Sequence, residues 1–479
     1  MIRKFTSLYR PNYTTVLVYM LQSTEYQVGP YLKWVWRTDD FGQVMRRRTL
    51  ERTRPARLLL LALRLGIVLQ IIAGLLLVYL GLWHNLPGGL AFGIALIIAY
   101  PFVWAYLLVL PLWLGRELSD KPKQRRLIRK SSDVFAKHPG VRIAVAGSYG
   151  KTTMKELLAT VLAEGLRVAA TPANKNVSSS HAQFAAKLTG KEDVLIIEYG
   201  EGEPGDVARF ARVTKPTHAV ITGLAPAHLD RYKTLQAAGQ DIFSVADYLK
   251  GQQVYVNDEA PAVKPFIKSS YEVFNEKGAL GWKVSDVKVG LDGTGFILKK
   301  SQQTLELHSG LVGRQHVGYL SLVATLALKL GLTKQQVIDG IAKTKPFEHR
   351  MQPYQLAGAW VVDDTYNGNL EGIRAGTQLL KELEAKRKIY VTPGLVDQGE
   401  ETERVHIEIG QLIAGAQPDL VVLMKNSVTD FIKQGLKARK FKGKLQVESN
   451  PLDFYTNLSH FVAGGDLVVM QNDWPDNYA

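Results

Sequence analysis

The chain has 479 residues, 46% of them hydrophobic and 22% charged, a composition that excludes wholesale disorder. At roughly 150 residues per domain that length predicts about three domains. Cysteine is absent, so disulfide scaffolds, thiolate zinc sites and cysteine nucleophiles are excluded; the net charge of +15 is local, residues 1–140 holding 20 of the 59 Lys and Arg but only 7 of the 44 Asp and Glu, which argues against nucleic acid as the partner.

In chain order, residues 1–56 read as a basic cytoplasmic segment with Trp34, Trp36 and Phe41 among its arginines. Two readings stand side by side: an amphipathic element lying on anionic lipid, or a small packed subdomain whose aromatics are its core. Residues 57–115 read as a two-helix transmembrane hairpin, because positions 65–115 are 51 consecutive residues without Lys, Arg, Asp or Glu. That is the length of two spans of about 20 residues and a tight turn. The expected spans are 65–83 and 90–114, with Pro101 and Pro111 as kinks in the second. Arg46, Arg47, Arg48, Arg52, Arg54, Arg57 and Arg64 precede the pair, and Arg116, Lys121, Lys123, Arg125, Arg126, Arg129 and Lys130 follow it, while the turn has no Lys or Arg. By the positive-inside rule both ends face the cytoplasm, with Trp83, Trp104 and Trp113 as interface anchors. The expectation is a cell-membrane protein with two spans, membrane lipid as a partner and its remaining domains cytoplasmic. Residues 116–140 read as a charged linker helix ending at His138-Pro139-Gly140.

From residue 141 short β-rich runs (141–146, 194–198, 219–222, 254–257) alternate with helical stretches, which predicts a mostly parallel sheet covered by helices over 141–345. A second α/β segment, residues 346–479, carries apolar runs at 360–362, 389–391, 420–424 and 467–470. The fold class is therefore α/β: a transmembrane hairpin, a P-loop central domain and a Rossmann-like C-terminal domain.

The strongest local signal is the strand Ile143-Ala144-Val145-Ala146, the turn Gly147-Ser148-Tyr149-Gly150, and Lys151-Thr152-Thr153 opening a helix. Such a turn aims backbone N–H groups and a helix dipole at phosphates, with Lys151 for terminal phosphate oxygens and Thr152 for Mg2+. Gly147, Ser148, Gly150, Lys151, Thr152 and Thr153 are the candidate nucleotide-binding residues, although the general P-loop pattern has a glycine where Val145 stands. Glu198 follows five mostly apolar residues and so lies at the ligand end of a strand, where a carboxylate is placed to hold a metal.

Gly147-Ser148-Tyr149-Gly150-Lys151-Thr152-Thr153 resembles the shortened P-loop of the Mur ligase family, ATP-dependent enzymes that form amide bonds. Thr171-Pro172-Ala173-Asn174-Lys175-Asn176 is similar to that family's loop after the second strand, the segment ending Glu198-Tyr199-Gly200 to its magnesium-binding strand, Ala225-Pro226-Ala227-His228-Leu229-Asp230 to its histidine segment, and His349-Arg350-Met351 to the start of its C-terminal domain. Asp363-Asp364-Thr365-Tyr366-Asn367-Gly368-Asn369 and Thr392-Pro393-Gly394-Leu395-Val396-Asp397-Gln398-Gly399 resemble the MurF type, which adds D-alanyl-D-alanine to a muropeptide. The resemblance implies ATP and Mg2+ as cofactors, Lys151, Glu198 and His228 as catalytic residues, Thr152, Glu198 and His228 at the metal, and Arg350, Asp364 and Asn367 on the nucleotide. It implies a muropeptide-like carboxylate as substrate, an amino acid or dipeptide as amine donor, and an acyl-phosphate intermediate in peptidoglycan precursor synthesis. His406, flanked by Glu403 and Glu408 on a helix, reads as structural.

The departures are specific. The family's carbamylated lysine falls at Gly239, ahead of Asp241, and its adenine-contacting asparagine at Tyr319. The segment 471–477 replaces a Lys-Gly-Ser pattern, and the membrane hairpin stands where the family has its UDP-binding domain, which points to a membrane-linked substrate. The alternatives are a Mur-like ligase for another polymer of the poly-glutamate type, and a membrane-anchored nucleotide-binding scaffold without ligase activity.

Overall fold

A helix satisfies the backbone polar groups of a long uncharged stretch within the stretch itself. In the computed structural model, which describes residues 6–24, 26–44, 49–115, 121–172, 175–226, 229–366, 368–395 and 398–472, helices Arg54–Trp83 and Gly89–Leu107 carry that stretch. Two units are distinguished, residues 1–125 and residues 126–474.

In the first unit, helix Arg54–Trp83 starts well before residue 65, because Thr53 Oγ1 accepts from the Ala56 amide and Pro55 occupies the first turn. The two helices pack antiparallel through glycines: a Cβ on Gly74 would lie 3.0 Å from Gly93 O, and one on Gly81 would lie 3.0 Å from the Gly89 carbonyl carbon. Small residues at such a seam let backbones approach without a methyl between them. Gln70 bridges the pair, donating to Leu96 O at 2.8 Å and accepting from Trp104 Nε1 at 2.7 Å. The second span differs from expectation. It does not run unbroken to 114 but stops at Leu107 and resumes as the short helix Val109–Gly115, since Pro111 has no N–H to offer the Leu107 carbonyl. Helices Arg54–Trp83 and Gly89–Leu107 have apolar windows of mean hydropathy 2.5 and 2.0, only 17% of each buried, so both are long and apolar enough to cross a membrane.

Between the two readings of the N-terminal segment, the packed one fits the geometry. Helix Tyr13–Ser23 buries Val16, Leu17, Val18, Tyr19, Met20 and Leu21, and Phe41 and Tyr31 join them against Ala105 and Leu63. Tyr9, Tyr13 and Tyr31 donate their hydroxyls to the carbonyls of Ile98, Pro101 and Ala105 at 2.6, 3.0 and 2.8 Å. Those carbonyls recur every three or four residues, the spacing of one helix face. Trp34 is half-buried in this core, whereas Trp36 is exposed.

In the second unit a ten-stranded sheet has the order β10-β9-β8-β7-β6-β5-β4-β1-β3-β2. Strands β1 (Val141–Ala146), β2 (Val168–Ala170), β3 (Val194–Glu198), β4 (His218–Ile221), β5 (Val254–Asn257) and β6 (Glu272–Asn275) are parallel. β3 is buried along its whole length, as a parallel strand covered on both faces requires. Sequence reasoning placed β1, β3, β4 and β5 but not the antiparallel extension β7 (Gly278–Ala279), β8 (Trp282–Gly290), β9 (Gly293–Lys300) and β10 (Gln303–Ser309). The sheet is thus mixed. A second sheet, ordered β11-β12-β16-β13-β14-β15, comprises β11 (Gln352–Leu356), β12 (Ala359–Asp364), β13 (Arg387–Thr392), β14 (Leu420–Met424), β15 (Lys444–Glu448) and β16 (Asp466–Gln471). Only its edge strand β11 is antiparallel.

Candidate active site

β1 ends in the P-loop, and its pairing with β3 sets Val145 beside Glu198, so the loop and that carboxylate emerge together from neighbouring strand ends. Gly147 and Gly150 have φ of +144° and +69°, conformations open to glycine. Close approach adds a second reason: a Cβ on Gly147 would lie 2.2 Å from Thr222 Oγ1, and one on Gly150 would lie 2.2 Å from Tyr319 Oη. Ser148 is fixed by its amide on Gly223 O at 3.1 Å and by the Ala225 amide on its hydroxyl at 2.6 Å. Helix Lys151–Leu162 starts from Gly150 with no side-chain cap, which leaves its first-turn N–H groups facing the loop. That is an anion-binding arrangement.

The side chains converge. Lys151 Nζ lies 2.6 Å from Glu201 Oε2, donates to Glu201 Oε1 at 2.9 Å and donates to Gly147 O at 2.7 Å. Thr152 Oγ1 and Asn176 Nδ2 donate to Glu198 Oε1 at 3.1 and 3.2 Å. Glu198 is 1% exposed; its Oε2 accepts no hydrogen bond and faces the buried Lys155 ammonium at 3.5 Å. Lys155 Nζ also meets Glu156 Oε1 at 3.0 Å. Behind Glu198, its amide donates to Thr171 Oγ1 at 3.1 Å, and His181 Nε2 lies 2.8 Å from its carbonyl oxygen. Burial pulls His181 down to about 4, so the ring is neutral and Nε2–H is the donor.

A hard divalent cation fits these residues. Mg2+ binds through one or two carboxylates and completes its shell with phosphate oxygens and water, and here a buried carboxylate whose Oε2 faces Lys155 at 3.5 Å but accepts no hydrogen bond stands beside the Thr152 hydroxyl. Among the described residues no three His, Cys, Asp or Glu converge as a metal cage. His228 lies outside the described residues, as do Asn367, Ala173, Asn174, Ala227, Val396, Asp397 and residues 473–477.

A cleft of about 650 Å³ runs from Tyr149, Gly150 and Thr153 to Arg350 and Asp364, and Asn257, Glu259 and Tyr319 also line it. Arg350 stacks its guanidinium 4.7 Å from the Tyr366 ring centroid, between His349 and Met351, both held at positive φ. Asp364 accepts from the Met351 amide at 3.2 Å and from Gln471 Nε2 at 2.7 Å, while burial pushes its carboxyl up to about 7. Asp363 instead takes His349 Nδ1 at 2.7 Å. Tyr319 does not present a free polar group to the cleft as an asparagine would: its hydroxyl donates to Thr222 O at 3.0 Å. Gly239 has no room for a longer side chain, since a Cβ there would lie 2.3 Å from Phe266 Cζ. His406 is buried, accepting the Leu395 amide on Nε2 at 3.0 Å with Nδ1 on Thr402 O at 2.6 Å, a loop-bracing arrangement.

Sequence reasoning missed Glu201, Lys155 and Glu259. Lys155 had a signal, because it falls among Met154, Leu157 and Leu158 on the buried face of its helix. Glu259, in the cleft wall, is pushed up to about 7 by burial.

Fold and site define a mixed α/β protein whose P-loop meets a strand-end carboxylate on one side and a cleft, lined by Tyr149, Gly150 and Thr153, on the other. Residues 145–328 match the Mur ligase middle domain. The UDP-N-acetylmuramoyl-tripeptide–D-alanyl-D-alanine ligase of Escherichia coli is 27% identical over 301 residues, which is 59% of this chain and 64% of that enzyme. The enzyme of the same name from Borreliella burgdorferi is 25% identical over 299 residues, 60% of this chain and 63% of the relative. The chain therefore spans less than two thirds of the length of these relatives. Among solved structures, the MurF ligase of Thermotoga maritima in complex with ADP has a TM-score of 0.64 at 21% identity, covering 73% of this chain and 80% of that one. MurF from Acinetobacter baumannii has a TM-score of 0.62 at 19% identity, covering 73% and 77%. The common ground is the fold.

Proposed function

We propose that the chain is an ATP-dependent, amide-forming ligase of the MurF type, joining a muropeptide-like carboxylate to an amino acid or dipeptide amine in peptidoglycan precursor synthesis. The observation that carries this reading is the union of P-loop and strand end: Lys151 and Thr152 on one side, Glu198 with a buried oxygen that accepts no hydrogen bond on the other. The similarity to enzymes named for that reaction supports it further. Bound ATP with Mg2+ supplies the phosphoryl group that makes the substrate carboxylate a mixed anhydride with a good leaving group.

The chain's own work is positioning and charge neutralisation. Lys151 and the first-turn amides of its helix would hold phosphate oxygens, and Thr152 and Glu198 would hold the cation. Lys155 stands as the counter-charge to Glu198, and Thr171 and His181 fix the backbone that presents it. Arg350 and Asp364 close the nucleotide side of the cleft from the second sheet.

The reading extends to a cell-membrane location, with helices Arg54–Trp83 and Gly89–Leu107 as spans and the cleft on the cytoplasmic side. Support comes from their apolar surface, with Leu69, Ile72, Leu75 and Leu76 exposed, and from the flanking basic residues. A substrate linked to membrane lipid then shares the enzyme's confinement, which raises effective concentration without new contacts. The test is phosphate release by detergent-solubilised full-length protein offered UDP-linked and lipid-linked muropeptides, each with and without D-alanyl-D-alanine. ATP turnover that requires both acceptor and amine supports the ligase; turnover indifferent to both refutes it.

A further inference from the structure

We propose that Glu201 is a cation-holding residue of this site, a carboxylate that passes from Lys151 to a divalent cation when a nucleoside triphosphate enters; the inference rests on the ligase reading above. Lys151 and Glu201 form a close ion pair, 2.6 Å at its shortest, with side chains only 12% and 5% exposed. The third partner of that ammonium is Gly147 O. Three N–H bonds are all a lysine has, so a phosphate gripped by Lys151 must displace Glu201 or the carbonyl. Charge decides between them, because phosphate and carboxylate are both anions competing for one cation in a poorly solvated site.

Glu201, once displaced, would be an enclosed carboxylate next to a polyphosphate. Nearby cations are already engaged: Arg231 donates to Gly202 O at 3.1 Å and lies 3.9 Å from Glu203 Oε1, and Lys155 serves Glu156 and Glu198. A buried anion left without a partner is strongly disfavoured. The nucleotide brings its own divalent cation, and a second donor stands ready for it. Glu198 Oε2 is buried without a hydrogen-bond partner, three residues back on the same segment. Glu198 is tied to Thr152 and Glu201 to Lys151, adjacent residues of one helix turn, so both carboxylates face the P-loop. Two carboxylates with phosphate oxygens and water form a normal magnesium shell.

The experiment uses full-length protein in detergent, Mn2+ as the probe cation and Glu201→Gln as the variant. Mn2+ affinity is read by electron paramagnetic resonance in saturating AMP-PNP, and nucleotide affinity by mant-ATP fluorescence in EDTA. The expected result has opposite signs: Glu201→Gln weakens Mn2+ about tenfold or more, while mant-ATP without metal binds as tightly or tighter because Lys151 is released. Retained mant-ATP binding shows that the variant is folded. If it is lost, Glu201→Ala is measured instead, and Mn2+ affinity as in the parent overturns the proposal. Mn2+ affinity unchanged in Glu201→Gln likewise overturns it, leaving Glu201 as a counter-ion of Lys151 alone. Parent protein that binds no mant-ATP overturns the ligase reading and this inference with it.

Discussion

Lys155→Met isolates the charge that stands behind Glu198. Methionine keeps much of the length of the buried stem, so the change removes an ammonium rather than packing. Lys155 is fully buried, and its Nζ lies 3.5 Å from Glu198 Oε2. Coulomb's law at an effective dielectric constant of about 20 gives about 5 kcal/mol for unit charges at that separation. Breaking one side of a buried ion pair typically costs about 3–5 kcal/mol, which agrees. At about 2–4 °C per kcal/mol the melting temperature should fall by roughly 10 °C. The cost arises because the buried Glu198 carboxylate loses the ammonium that faces it. Glu198→Gln in the same chain removes that anion and should restore most of the loss. Differential scanning calorimetry of the detergent-solubilised full-length single and double variants measures this. A double variant that melts as low as Lys155→Met would refute the view that Lys155 acts by pairing with Glu198.

Three further outcomes are expected. Lys151→Ala should abolish ATP turnover and, because it strips the enclosed Glu201 carboxylate of its cation, should also lower the melting temperature by several degrees; turnover at the parent rate would remove the nucleotide-site assignment. Glu198→Gln should raise the Mg2+ concentration for half-maximal turnover by about tenfold or more, and superimposable magnesium titrations would make Glu198 a purely structural residue. A reporter inserted at Gly88 should read as external and one fused after residue 479 as cytoplasmic, with protease accessibility in sealed vesicles as the check; an external C-terminal reporter sinks the proposed topology.

Much of this was legible because it is local. The end of β1, the P-loop and the start of its helix are eleven consecutive residues, from Ile143 to Thr153, whose glycines and Lys-Thr pair have few other uses. Glu198 could be picked out because β3 is apolar up to that residue, so a carboxylate there is unexpected. The strands β8 to β10 were not legible. β8 is exposed or half-buried at most positions and carries a bulge between Ser285 and Lys288, which breaks the alternation that marks a strand. The N-terminal segment left two readings because its aromatics suit either a lipid surface or a core. What distinguishes them is the set of three tyrosine hydroxyls on carbonyls 74 to 89 residues away, and no local pattern encodes such partners.

The same distance effect hid the electrostatic design of the site. Lys151 and Lys155 are four residues apart on one helix, and Glu198, at the end of β3, and Glu201, just past it, are three residues apart, so each element alone reads as ordinary charge spacing. Only the pairing of β1 with β3 brings them together as two cation–carboxylate pairs. The pairs differ in their surroundings, and the difference assigns their tasks. Lys155 is sealed in the core, so its charge stays on Glu198 whatever enters the loop. Lys151 sits at the mouth of the helix with a carbonyl and a carboxylate as partners, so an incoming phosphate can take it over. A site in which both lysines were free would bind phosphate without metal, and one in which both were sealed would bind none. With one fixed and one exchangeable, the proposed exchange at Lys151 would free a carboxylate as a polyphosphate binds, and nucleotide and divalent cation would be drawn in together.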